Sequence, residues 1–191
     1  MGMQAATGAI DQVTVADTAL RCRVIGGGPA RGICGSGLVD AVACGLDLGW
    51  IDASGRLEPG RQALVLSGPV HLTQRDVRQL QLAKAAIAAA LALLTERWGI
   101  APEDLSRVYL AGAFGNYVNC RSARRIGLVE VPENRLVPAG NTALLGAKLA
   151  LFTGDGERRS LTEVRSRIEH VSLAASARFH EVFVSKTAFP A

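Results

Sequence analysis

Apolar and polar positions alternate in two short runs near the start of the chain, Val13 to Val15 and Leu20 to Ile25, and Ala16-Asp17-Thr18-Ala19 between them predicts a β-hairpin. Gly26-Gly27-Gly28-Pro29 ends the pair. After Gly35-Ser36-Gly37 the period lengthens: Leu38, Val39, Val42, Ala43 and Leu46 share one face of a helix that should stop near Gly49, with Ser36 placed to cap it. Asp52 to Pro59 is rich in turn residues. Ala63 to Leu66 and Val70 to Leu72 predict a second hairpin through Ser67-Gly68-Pro69.

Thr73-Gln74-Arg75-Asp76 is close to a capping box, with an acid where Glu or Gln is usual, and it opens the strongest helix of the chain. Its seam runs Val77, Leu80, Ile87, Leu91, Leu94 and Trp98, and Lys84 occupies the one position where that seam lacks an apolar residue. A second face of Leu82, Ala86, Ala89 and Leu93 predicts burial on more than one side. Two readings of Lys84 stay open on spacing alone: an ammonium snorkelling to water, or a cation reaching a pocket.

Trp98-Gly99 should end this helix, and Ala101 to Leu105 should form a one-turn connector to a strand at Arg107 to Ala111. Helices are expected at Arg121 to Ile126, Asn141 to Phe152 with Asn141 as cap, and Leu161 to Ile168; short strands are expected at Leu136-Val137 and Val171 to Leu173. The aromatic end, Phe179 to Phe189, reads as a closing helix. Strands and helices alternating in the later half predict an α/β domain with partly parallel pairing.

With 191 residues, 49% hydrophobic and 20% charged, the chain can bury a full core as one α/β domain spanning 1–191. The mostly apolar stretch from Leu82 to Leu94 is interrupted by Lys84 and shorter than a membrane span, and the N-terminal residues lack a signal-peptide pattern, so no membrane association and a cytoplasmic location are expected. A net charge of +4 is too modest and dispersed to suggest nucleic acid. The cluster Arg121, Arg124 and Arg125, like Arg158, Arg159, Arg165 and Arg167, reads as a solvated helix face; the first cluster is also placed to meet an acidic ligand or partner. Cys22, Cys34, Cys44 and Cys120 have no metal-site or ferredoxin spacing and read as buried thiols, so no iron–sulfur cluster and no metal ligand set is expected in this chain.

The candidate chemistry lies in glycine-led turns. Val108-Tyr-Leu-Ala-Gly-Ala-Phe-Gly-Asn-Tyr117 carries Gly112 and Gly115 out of an apolar run, as a nucleotide loop does, although a tight turn uses the same residues. Gly32-Ile-Cys-Gly-Ser-Gly-Leu-Val-Asp40 and Gly140-Asn-Thr-Ala-Leu-Leu-Gly146 are two further segments of this kind, each running into a helical pattern.

These three segments and Leu80-Gln-Leu-Ala-Lys-Ala-Ala-Ile87, in their order along the chain, resemble the C-terminal domain of the reductive activators of corrinoid proteins. Those proteins join an N-terminal [2Fe–2S] domain to an ATPase domain of the acetate and sugar kinase, heat-shock ATPase and actin superfold. The resemblance implies a ribonuclease H-like lobe of that superfold, incomplete here, with the [2Fe–2S] domain of the parent outside the chain. It implies ATP with Mg²⁺ as the parent's ligand and electron transfer from the cluster to the cob(II)alamin of a corrinoid protein or corrinoid-dependent methyltransferase; a homodimer is one assembly left open by the sequence. By resemblance, Gly112, Ala113, Phe114, Gly115 and Asn116 hold the adenosine side of the nucleotide. Gln81 and Lys84 approach ribose or adenine, Gly35, Ser36 and Gly37 lie near the nucleotide or brace the helix below it, and Asn141 begins the helix connecting the lobes.

Two departures limit what the chain should do alone. No apolar strand ends in the Asp-x-Gly-x-Thr/Ser phosphate loop that each half of the superfold needs: Asp47-Leu48-Gly49 and Asp155-Gly156-Glu157 stand in helix-end or turn contexts, so no catalytic acid or Mg²⁺ ligand is nameable. The start at Gly2-Met3 resembles the interior of a longer protein. Weak ATP binding and negligible hydrolysis are expected of the chain alone. A lobe of a small-molecule kinase of the same superfold is the alternative reading, as is a docking or dimerisation module using Arg121, Arg124, Arg125, Phe179, Phe183 and Phe189.

Overall fold

The computed structural model describes residues 1–112, 117–152, 155–173 and 176–191. Strand β1 (Ala9–Ala16) returns as β2 (Ala19–Val24) through a two-residue turn in which Asp17 and Thr18 both take positive φ, 49° and 64°. That left-handed pair matches the twist of the flanking strands, which is why so short a loop suffices. On the other side of β1, β3 (Gly32–Ile33) pairs in parallel, giving the order β2-β1-β3, and Gly2 bridges to Ile33 beyond it.

Helix α1 (Gly35–Asp47) lies against β1 and buries Val39, Ala41, Val42, Ala43 and Leu46. Cys34, rather than Ser36, is its N-cap. The Cys34 N–H is already committed to the Ile10 carbonyl, which fixes the helix start two positions earlier than the polar side chain suggests. Ser36 is thereby carried inside the first turn, where its hydroxyl donates to the Asp11 carbonyl of β1 at 2.9 Å.

The second hairpin, β4 (Ala63–Ser67) and β5 (Val70–Thr73), feeds α2 (Gln74–Arg97) through a complete capping box: the Asp76 carboxylate accepts from the Thr73 N–H at 2.8 Å, and Thr73 Oγ1 accepts from the Asp76 N–H at 3.4 Å. The buried face of α2 departs from the expected seam. Val77 and Leu80 begin it, but Gln81, Lys84, Ala85, Ala88, Ala89 and Thr95 continue it, while Ile87, Leu94 and Trp98 are exposed. The C-terminal segment covers this side instead: the Thr187 and Ala188 carbonyls receive Gln81 and Lys84, beside small alanines that leave room for close approach. At 24 residues α2 is long enough to cross a bilayer, yet its inner face is spent on packing and on three hydrogen-bonded polar side chains, Gln81, Lys84 and Thr95.

A single 3₁₀ turn at Pro102–Asp104 leads to β6 (Val108–Ala111), followed by α3 (Cys120–Arg125) and β7 (Leu136–Gly140), which pairs in parallel with β6. Helices α4 (Thr142–Phe152), α5 (Asp155–Ser166) and α6 (Ala177–Ser185) complete the chain. Helix α5 begins before the expected Leu161, and Val171–Leu173 is irregular rather than a strand. Helix α6 ends at Ser185, four residues before Phe189, because Thr187 to Pro190 leave the helix to make contacts of their own. The core joins β1, α1, the β4–β5 hairpin, the first turns of α2 and the Ile126–Val131 segment.

Candidate functional site

The glycine segment before α1 contributes two different things. Gly37 is a packing residue: a Cβ there would lie 2.3 Å from the Ile10 carbonyl oxygen, so α1 can touch β1 only because position 37 has no side chain. Gly35 is exposed and, with Cys34 and Ser36, lines a cavity of about 470 Å³ completed by Met3, Gln4, Ala5 and Tyr117. The N-terminal N–H groups of α1 have no acceptors within the helix, and the start of a 13-residue helix favours an anion.

Gly112 stands at the end of β6 with φ of 89°, a backbone that side chains other than glycine adopt with strain. Ala113, Phe114, Gly115 and Asn116 lie outside the described residues. Tyr117, just beyond them, lines the α1 cavity, so the far end of this loop and the Gly35-Ser36 turn face a common space. Asn119 then caps α3, its Oδ1 accepting from the Arg121 and Ser122 N–H groups at 2.9 and 3.3 Å. Asn141 caps α4 in the same way, accepting from the Leu144 N–H at 3.0 Å.

Gln81 and Lys84 are brought to the C-terminal tail. Gln81 is fully buried: its Nε2 donates to the Ser54 and Thr187 carbonyls, both at 3.1 Å, and its Oε1 accepts from Arg78 at 2.6 Å. Lys84 is 2% exposed, so its ammonium does not snorkel to water; it donates to the Ala188 carbonyl and sits 5.3 Å from the centroid of the Phe189 ring. Burial pulls its pKa from 10.5 down to about 8, with Glu130 opposing the shift and Lys186 reinforcing it. No local signal in the sequence announces this pairing, since the partners lie more than a hundred residues apart along the chain.

Arg121, Arg124 and Arg125 line a second cavity, of about 600 Å³, together with Asp47, Glu130 and Glu133. Arg125 is engaged there, donating to Asp47 at 2.7 Å and to the Pro190 carbonyl at 2.9 Å. The mixed charges give this space no single-sign field.

Sequence reasoning missed Asp40. It is buried on α1, accepts from the Val13 N–H at 3.2 Å, and has its pKa raised by burial, with Ser122 of α3 and the Val13 N–H opposing. It thus links α1, β1 and α3. Cys44, one turn further along α1, donates its thiol to the Val13 carbonyl at 3.6 Å, and burial pushes it up to about 11. Burial also raises Cys22 and Cys120. Among the described residues no group of three or more His, Cys, Asp or Glu side chains is disposed to hold a metal ion.

A family model described as the C-terminal domain of RACo, the ASKHA domain, matches residues 1–191. The chain belongs to this family. It is 35% identical over 219 residues to the corrinoid activation enzyme RamQ of Eubacterium limosum, a match covering 99% of this chain and 36% of that protein. It is 32% identical over 162 residues to the [Co(II) methylated amine-specific corrinoid protein] reductase of Methanosarcina barkeri, covering 84% of this chain and 29% of that protein. A solved reductive activator for corrinoid, iron–sulfur protein superposes with a TM-score of 0.87 at 31% identity, over 98% of this chain and 33% of that one. The chain therefore spans about a third of the length of these relatives. The α/β architecture with parallel β1–β3 and β6–β7 pairs is that of the actin-like ATPase superfold.

Proposed function

We propose that this chain supplies part of the nucleotide pocket of an ATP-dependent reductive activator, whose substrate is the oxidised cobalt centre of a corrinoid protein. The observation that carries the reading is the shared cavity of Gly35, Ser36 and Tyr117, which puts the first turn of α1 beside the end of the Gly112 loop in a chain matched along its whole length by the family. Its chemistry suits a nucleotide: N–H groups at a helix start, a position without a Cβ, and a tyrosine in the lining. ATP, when bound, would supply free energy through its differential affinity for two arrangements of the parent protein. The residues of this chain would bind and orient it: Gly35 and Ser36 from α1, Gly112 to Asn116 from the loop, and Asn141 as the cap that fixes α4. The four cysteines, Cys22 on β2, Cys34 at the cap of α1, Cys44 on α1 and Cys120 on α3, are free thiols without ferredoxin spacing, so no electron-transfer step is assigned to them.

Titration of the chain with Mg-ATP, followed by amide shifts in NMR, tests the reading. Shifts should concentrate at Gly35 to Gly37 and Gly112 to Tyr117, saturate only in the millimolar range, and disappear in Gly35→Val. Shifts centred on the arginine-lined cavity instead, or none at saturating nucleotide, would refute it.

A further inference from the structure

The polar pair on α2 is held in an unusual way. Residues 186–190 cross from the end of α6 over α2 and onto the base of α3, and each residue makes at least one identifiable contact. Lys186 pairs with Glu130; the Thr187 and Ala188 carbonyls receive Gln81 and Lys84. The Phe189 N–H donates to the Ala53 carbonyl at 2.8 Å while its ring is buried at 4% exposure. Pro190 rests on Gly127, where a Cβ would meet its ring at 3.0 Å, and its carbonyl accepts from Arg125. Against this, α6 buries none of its own residues, and Phe189 is the one fully buried side chain after Leu136 among the described residues. The segment is tied down by a single aromatic anchor and a few hydrogen bonds, the signature of a unit that opens below the global unfolding free energy.

We propose that residues 186–190 form a releasable strap that clasps Gln81 and Lys84, and that its release is a local opening distinct from unfolding of the domain. Closed, the strap denies the pair to any other ligand. Open, it presents an amine and an amide beside the Ser54 carbonyl and frees the C-terminal end of α3. The charges facing Lys84 are Glu130 and Lys186, with Arg78 on Gln81 and Arg125 on Pro190. The device does not depend on which ligand the glycine turns bind.

The chain has lysine only at 84, 148 and 186, which makes the test direct. The intact protein is treated with an amine-acylating reagent over a urea series below the unfolding transition, and Lys84 is compared with exposed Lys148 by peptide mass spectrometry. Lys84 should be acylated at a rate nearly flat in urea, faster than global unfolding allows, and the Phe189 amide should exchange hydrogen in step with it while amides of β1 keep full protection. Phe189→Ala should raise Lys84 labelling on the order of a hundredfold with α1 and β1 intact. Should this variant fail to fold, the unmodified chain still decides. Acylation of Lys84 that follows the full denaturant dependence of global unfolding from the first addition of urea would overturn the strap.

Discussion

Lys84→Met isolates the energetic cost of one buried charge. The substitution keeps the unbranched stem, removes the ammonium, and leaves the Ala188 carbonyl without its donor. Losing that partner costs about 1–3 kcal/mol if the carbonyl stays buried, and relief of desolvating the charge offsets it, so at neutral pH the variant should lie within about 1 kcal/mol of wild type. The two contributions separate with pH. The Lys84 pKa is depressed to about 8 from 10.5, so between these values the folded chain binds fewer protons than the unfolded one, and stability rises with pH across that window. At neutral pH the amine is protonated in both states and the gain has not begun. By about pH 9.5 the folded amine has lost its proton while the unfolded one keeps it, and wild type should have gained about 2 kcal/mol that the variant cannot gain. Urea unfolding of both proteins at the two pH values measures this as a difference of differences, in which the other titrations cancel. An unchanged gap between the proteins, or a variant that gains on wild type as pH rises, would refute the burial of a titrating amine under the strap.

Three further outcomes follow from contacts described above. Gly37→Ala would drive a Cβ into the Ile10 carbonyl, so α1 and β1 must separate; a loss of about 2–4 kcal/mol in urea unfolding is expected, and a loss under about 0.5 would show that the contact yields. Thr73→Ala removes the reciprocal cap of α2 and should cost about 1–2 kcal/mol by the same measurement, with Thr73→Ser recovering most of it. Asp40 has its pKa raised by burial, so the folded state favours its neutral form; Asp40→Asn should be most favourable relative to wild type at neutral pH and lose that advantage as pH falls through the folded-state pKa. Constant differences across an acid titration would argue against a desolvated carboxylate.

Local chemistry was legible where one turn or one cap decides the outcome. Asp17-Thr18, Ser67-Gly68-Pro69 and Thr73 with Asp76 each fixed an element from residues adjacent in sequence, and Asn119 and Asn141 act through their own first turns. Ser36 misled because its backbone neighbour, Cys34, was already held by β1, a tertiary bond invisible to capping rules. The seam of α2 misled for a related reason. Hydrophobicity ranks Ile87 and Leu94 above Ala85 and Ala88, but the face that is covered is the one where the C-terminal tail meets Gln81 and Lys84. Of the site, the Gly35-Ser36 turn and Tyr117 share a cavity, whereas the spacing marks Lys84 as an anomaly on α2 without revealing the partners of Gln81 and Lys84. Only the folded chain brings residues 187 and 188 to them.

Cys44 carries a consequence for handling and for chemistry alike. With its thiol near 11, only about one molecule in ten thousand presents a thiolate there at neutral pH, and thiolate is the species that oxygen, alkylating agents and stray metal ions attack. The sulfur in the middle of α1 behaves as a small hydrophobe, and its alkylation becomes a clock for how often the helix leaves the sheet.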